Sequence, residues 1–313
     1  MKWWSWIPPN PVSVRGEQTF SLICRINHFS SVITTNYAIY KRSKMGKKMN
    51  TTALGDGTQV FCLRPQEAKV LDDHVEGYMT HGIQVKPGHT VFDIGANIGI
   101  FGVRMAQRCG GDIKLIAFEP IPEIRACTEA NLKPWPNAFV LPFGIARERG
   151  TATFTYFPNA PSLSSAHLDD WEGQDGVLEE AVVGNARHAP MWYAKLLPRF
   201  LAGPLARWLT KNPIEVQCEL RTVSEIMAEH NIDQLDLLKI DCEGAEEEAL
   251  IGISESDWPK IQQAVIEVHD IDGRLARVEA ILRKAGLTEL VTEKEAALEN
   301  TRLSNVYAHR PRD

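Results

Sequence analysis

The sequence predicts an α/β fold built on a mostly parallel, doubly wound sheet, and three observations carry that expectation. Val91-Phe92-Asp93-Ile94 is a short apolar run, rich in β-branched and aromatic residues, that reads as a buried strand. It ends at Gly95 and Gly99, after which Ile100, Val103 and Met105 continue into a helical pattern. Strand-like and helix-like segments then alternate along the chain, as right-handed strand–helix–strand crossovers require.

Taken in order, Gly55-Asp56-Gly57 is a hairpin turn ahead of a strand over 59–63. Residues 65–82 read as a helix whose apolar face is Ala68, Val70, Leu71, Val75 and Tyr78; Glu76, Tyr78 and His81 are expected at its surface. Lys86-Pro87-Gly88 is a turn into the organising strand. A second strand, 113–118, ends in Glu119-Pro120, and a helix with proline at its start covers 122–131. A third strand covers 138–142. Two alternating segments, 151–157 and 215–222, suit strands that pair with each other. Further on come a helix over 223–230, an apolar strand over 235–240 and a helix over 245–251. The last of these carries Glu246, Glu247 and Glu248 in its first turn, favourable to its dipole. A buried strand over 264–268, a helix over 275–285 and strands over 287–292 and 305–309 complete the pattern.

The glycine turn after the first strand of such a sheet marks a ligand crevice. Gly95 lets backbone approach a ligand, and the helix that follows offers free N–H groups to an anion. A dinucleotide fingerprint wants G-x-G-x-x-G, but Asn97 stands where its second glycine would be. A phosphate loop wants a lysine that is absent here. The pattern suits S-adenosylmethionine (SAM), which has an amine, a carboxylate and a ribose but no phosphate. Asp93 would face its ammonium side, and Glu119, 20 residues beyond Gly99, its ribose hydroxyls.

Composition narrows the remaining classes. The chain has 313 residues and a net charge of −6, against a general nucleic-acid binder. Six scattered cysteines form no C-x-x-C pair, so neither a zinc site nor a disulfide framework is expected, and a cytoplasmic location is the simplest compartment. No run of about 18 apolar residues suggests a transmembrane segment, and no signal peptide is read at the start. Residues 1–60 are assigned to an N-terminal extension, with Trp3, Trp4 and Trp6 ahead of a basic stretch. The SAM domain is assigned to 61–313, interrupted by an insertion at about 166–213 that is either a lid or a second small core. Oligomeric state is left open, a homo-oligomer included.

The blocks Asp93-Ile-Gly-Ala-Asn-Ile-Gly99, Glu119-Pro120, Leu238-Lys-Ile-Asp-Cys-Glu-Gly-Ala-Glu246 and Glu267-Val-His269 together resemble the FkbM family of SAM-dependent methyltransferases, over about residues 70–290. The resemblance implies a class I, Rossmann-like methyltransferase fold with seven strands, one of them antiparallel near the C-terminus. It also implies methylation of a hydroxyl, commonly on a sugar or secondary metabolite in natural-product biosynthesis. An amide N-methyltransferase acting on a peptide and a non-catalytic SAM-binding protein are the alternatives.

Methyl transfer is largely positioning, but a hydroxyl acceptor must also lose a proton. Asp241, Glu243, His269 and Lys239 are the candidate catalytic residues: the two carboxylates near the acceptor, His269 the base by its ordinary pKa, and Lys239 orienting the carboxylates. These carboxylates, with Glu267 and His269, could instead hold Mg²⁺. Asp93, Gly95, Asn97, Gly99 and Glu119 are assigned to the cofactor, with Gly144 and Ile145 near its adenine. Ser164 and Ser165 are assigned to the acceptor side.

Overall fold

The structure, a computed structural model, describes residues 49–164, 166, 202–294 and 302–311. The Trp-rich start, Ser165 and residues 167–201 of the insertion lie outside the described residues. A hairpin of β1 (Asn50–Ala53) and β2 (Gln59–Cys62) leads to α1 (Pro65–Tyr78). The alternating core follows with β3 (Thr90–Ile94), α2 (Ile100–Arg108), β4 (Lys114–Phe118), α3 (Pro122–Leu132) and β5 (Ala138–Leu141). Next come β6 (Phe143–Ile145), β7 (Gly150–Tyr156), α4 (Ala202–Leu209) and β8 (Ile214–Arg221). The chain continues through α5 (Val223–Glu229), β9 (Leu237–Ile240), α6 (Glu246–Ile251), β10 (Gln263–His269), α7 (Arg274–Lys284), β11 (Glu289–Glu293) and β12 (Leu303–His309).

Seven strands form the main sheet in the order β11-β12-β10-β9-β3-β4-β5. β3, β4, β5, β9 and β10 run parallel, and β12 is antiparallel to both β10 and β11. This is the expected α/β class, with the antiparallel strand β12 near the C-terminus, set between β10 and the edge strand β11. As the sequence alternation suggested, β7 pairs antiparallel with β8, in a separate three-stranded sheet completed by β6. Among the described residues no helix is long and apolar enough to cross a membrane.

Strand side chains alternate between faces, and the strands sort into two cores accordingly. Val91, Leu115, Ala117, Leu237 and Val265 pack against α1, α2 and α3 through Val75, Met105 and Leu132. Phe92, Ile116, Leu238, Ile266 and Val306 face α5, α6 and α7 through Ile226, Leu250 and Leu282. The charged residues of the site obey the same alternation. Asp93 pairs in register with Lys239, and Lys239 with Val265. Asp93, Lys239 and Glu267 therefore share the face toward α1.

Local sequence chemistry fixes the ends of these elements. Pro65 and Pro122 open α1 and α3, where a missing N–H costs nothing. Thr222 and Glu225 form a reciprocal capping box at the start of α5.

The chain reverses direction of winding at β3: β4 lies on one side of it and β9 on the other. Such a switch point opens a crevice at the carboxyl ends of the strands. Gly95 is what allows its two walls to meet. Its φ is +76°, and a Cβ there would lie 1.6 Å from the carbonyl oxygen of Asp241. Gly95→Ala is expected to destabilise the fold by about 3 kcal/mol or more, through strain and displacement of the Asp241 loop. Denaturant unfolding checks this; a midpoint equal to that of the wild type would show that the loops do not meet this closely.

Candidate active site

A cavity of about 620 Å³ opens at the tips of β3, β4, β9 and β10. Gly95 and Asn97 line it from the β3 turn, Glu119 from β4, Asp241 and Glu243 from β9, and Glu267 and His269 from β10. Gly144, Ile145 and Ser164 line its outer wall. One stripe of α1, Glu67, Val70, Leu71, His74 and Tyr78, faces it from the other side. Those positions follow the i, i+3, i+4, i+7 rule of a single helix face.

The inner wall is held by Lys239. Its ammonium lies 3.1 Å from Asp93 Oδ1 and 3.5 Å from Asp241 Oδ2, and it donates to the carbonyl oxygen of Gly95 at 3.0 Å. Burial works to lower its pKa, but the Asp93 and Asp241 carboxylates outweigh that and hold the ammonium above its usual range. Asp93 is wholly buried, and burial raises its carboxyl against the pull of Lys239. Neither Asp93 nor Lys239 lines the cavity: both lie behind its wall, where Lys239 holds the lining residues Gly95 and Asp241. Gly99 also sits behind the lining, as the left-handed N-cap of α2 packed on Thr128.

His269 forms a second cluster. Its Nε2 lies 3.2 Å from Glu243 Oε2 and its Nδ1 lies 3.1 Å from Glu246 Oε1. Burial works to lower the ring's pKa, but the two carboxylates hold it well above the ordinary histidine value. The expectation that His269 titrates near its unperturbed value is thus corrected: the ring is an imidazolium between two acids. Glu246, read from sequence as a helix-dipole residue, is fully buried and also accepts from the backbone N–H of Gly244 at 2.7 Å. Glu243 has a φ of +52°, so the loop that aims its carboxylate is strained. Burial raises the Glu243 carboxyl above its usual value.

Glu119 closes the β4 tip. Its Oε1 accepts from the N–H of Ile121 at 2.9 Å, and burial pushes its carboxyl up to about 8. Its loop is braced by Arg125, whose Nη1 donates to the carbonyl oxygen of Pro120 at 2.9 Å. The β3 turn is braced from α3 as well. Thr128 Oγ1 donates to the carbonyl oxygen of Asn97, and Asn131 Nδ2 to that of Ile98 at 2.7 Å.

The geometry departs from expectation most clearly at Tyr78. The sequence placed it at the surface; the structure buries it, with its hydroxyl 3.0 Å from Asp241 Oδ2 and 3.1 Å from Glu267 Oε2. The apolar stripe of α1 already contained it and was the available signal. Nothing local flagged Arg125, Thr128 or Asn131, because their partners are backbone carbonyl oxygens, those of Thr128 and Asn131 also distant in sequence.

Mg²⁺ finds no ligand set: among the described residues no group of three or more His, Cys, Asp or Glu is arranged to hold a metal ion. The acidic side chains at the strand tips are engaged instead with Lys239, Tyr78 and His269.

The Methyltransferase FkbM domain family matches this chain over residues 93–287, which span every strand tip of the cavity. The chain belongs to the FkbM methyltransferase family. It is similar to 31-O-demethyl-FK506 methyltransferase FkbM of Streptomyces tacrolimicus, 31% identical over 272 residues, which cover 85% of this chain and 99% of that protein. It is also similar to the AMB antimetabolite synthetase AmbE of Pseudomonas aeruginosa, 32% identical over 243 residues, covering 75% of this chain and 11% of that protein. Against the crystal structure of methyltransferase FkbM from Methylobacillus flagellatus KT, identity is 12% and the TM-score 0.45, covering 77% of this chain and 51% of that one.

This FkbM-family chain is a SAM-dependent methyltransferase. The residues at the strand tips fit that donor. Gly95 and Glu119 both line the cavity, and a glutamate at a strand tip suits a ribose diol. The Glu119 carboxyl has a pKa raised from 4.5 to about 8. The folded state therefore holds a proton that the unfolded chain has lost between these values. Its contribution to stability is full below about 4.5 and is lost as pH rises through about 8. Glu119→Gln is expected to flatten that part of the stability–pH curve of the ligand-free protein. Thermal unfolding from pH 5 to 9 measures it; an unchanged slope would deny the buried neutral carboxyl.

Proposed function

We propose that this methyltransferase acts on a hydroxyl group of a small secondary metabolite or sugar. The observation that supports this best is the chain of ionisable groups Glu243–His269–Glu246 opening on the same cavity as the Gly95 turn. An alcohol is a poor nucleophile until its proton is drawn off, and such a chain supplies a place for that proton.

SAM, when bound, supplies an electrophilic methyl group on a sulfonium. In this reading Gly95, Asn97 and Glu119 hold it, with Gly144 and Ile145 against its adenine. Asp93 and Gly99 shape the turn from behind. Asp241, fixed by Lys239, orients the acceptor. Glu243 takes the acceptor's proton at a carboxylate oxygen, because its raised pKa makes it a stronger base than an exposed glutamate. The imidazolium of His269, backed by Glu246, keeps that carboxylate in place. Ser164 stands at the acceptor side of the outer wall. Its Oγ already accepts from the N–H of Phe157 at 3.1 Å, which fixes its direction.

The test is methyl transfer from SAM to a panel of hydroxylated small molecules and to peptides, with products assigned by mass and NMR. An O-methyl product is expected, and Glu243→Gln should lower kcat by about 100-fold or more, the usual worth of a general base. An N-methylated peptide as the product, SAM binding without turnover, or full activity in Glu243→Gln would each overturn the assignment. Glu119→Ala is expected to weaken SAM binding by about 1–3 kcal/mol, the cost of leaving the ribose hydroxyls without their partner. Calorimetry checks it, and unchanged affinity would remove Glu119 from the ribose role.

A further inference from the structure

Tyr78 belongs to α1, outside every strand of the sheet, yet its hydroxyl touches carboxylates from two adjacent strand tips. It stands 3.0 Å from Asp241 Oδ2, beyond β9, and 3.1 Å from Glu267 Oε2, on β10. The register Val265↔Lys239 explains the coincidence, since it carries Glu267 alongside Asp241. Two carboxylates brought this close repel each other unless a donor lies between them. A phenol has one proton to give, and placed between the two carboxylates it can share that proton with both.

The side chain is locked in that position. Tyr78 is only 5% exposed. Its ring meets Phe101 edge-on with centroids 6.1 Å apart, and the Lys239 ammonium sits 5.4 Å from its centroid. The end of α1 is anchored in turn by Tyr307, whose hydroxyl donates to the carbonyl oxygen of Gly77 at 2.9 Å. Burial, and after it the charges of Asp241 and Glu267, raise the Tyr78 hydroxyl well above the ordinary phenol range, so it stays a donor. A rigid neutral donor aimed at a carboxylate in the cavity wall is the arrangement that fixes a functional side chain in one rotamer.

We propose that Tyr78 is a positioning residue for methyl transfer, holding the Asp241 carboxylate toward the acceptor by bridging it to Glu267. This rests on the reading above in which Asp241 orients the acceptor. It makes α1, through Tyr78, part of the catalytic apparatus rather than only a wall of the cavity. Glu267 gains a role with it: it is the far pier of the bridge and holds the phenol over Asp241.

The experiment compares wild type with Tyr78→Phe, Tyr78→Ala, Glu267→Gln and the Tyr78→Phe/Glu267→Gln double variant. Turnover is measured with SAM and the hydroxylated acceptor that the wild type methylates best, and donor-site integrity by calorimetry with S-adenosylhomocysteine. Tyr78→Phe keeps the ring and loses only the hydroxyl. It is expected to retain S-adenosylhomocysteine affinity within about 3-fold and to lose kcat by about 10-fold, the effect of one lost hydrogen bond to a charged group. Tyr78→Ala should lose stability as well. Glu267→Gln should lower kcat similarly, and the double variant should be no slower than the worse single one within about 2-fold, because both changes break the same bridge. Full kcat in Tyr78→Phe, a multiplicative loss in the double variant, or equal losses of affinity, melting temperature and kcat in Tyr78→Phe would overturn the proposal. Failure of the wild type to methylate any hydroxylated acceptor would instead overturn the reading of the site, and this role with it.

Discussion

A buried ammonium between two strand tips is the interaction on which the rest of the site depends. Lys239 joins Asp93 on β3, Asp241 beyond β9 and the carbonyl oxygen of Gly95. Taking such a charge out of water costs several kcal/mol, recovered only when partners surround it closely. The surrounding structure supplies those partners from two segments, the end of β3 and the loop after β9. Parallel pairing of β3 with β9 places Asp93 and Lys239 side by side, and the absent Cβ of Gly95 lets the Asp241 loop close over them. The ion pair therefore fixes the distance between the two lips of the crevice.

Around this centre the charges fall into two separate groups with different tasks. One is the Asp93–Lys239–Asp241 group, extended through Tyr78 to Glu267. The other is the Glu243–His269–Glu246 group. In the first, a buried lysine is held charged by its acids and fixes them in direction. In the second, a histidine between two acids is itself forced to carry charge. Neighbouring carboxylates can thus play different parts because a different base stands behind each.

Much of this was legible in the sequence because it depends on local chemistry. Period-two strands, the proline opening α3 and the glycine turn after Ile94 each carry their own signal. Asp241, Glu243 and His269 were legible because polar residues ending apolar strands stand out. What escaped depends on the third dimension. Tyr78 looks like one more apolar residue on a helix face until the register of β9 and β10 brings two acids to its hydroxyl. Glu246 looks like a helix-dipole residue until β10 delivers His269 beside it. Arg125, Thr128 and Asn131 act on backbone carbonyls, which leave no mark in a sequence.

The antiparallel β12 has a consequence for how the molecule is made. It lies between β10 and β11, paired with both, although it follows them in sequence. While a ribosome is still synthesising the chain, the edge of β10 that will receive β12 stays bare. The strand tip bearing Glu267 and His269 gains its second neighbour only when residues 303–309 emerge. Contacts this distant in sequence are slow to close. Competence of the acceptor side should therefore arise late, once residues 303–309 have taken their place beside β10.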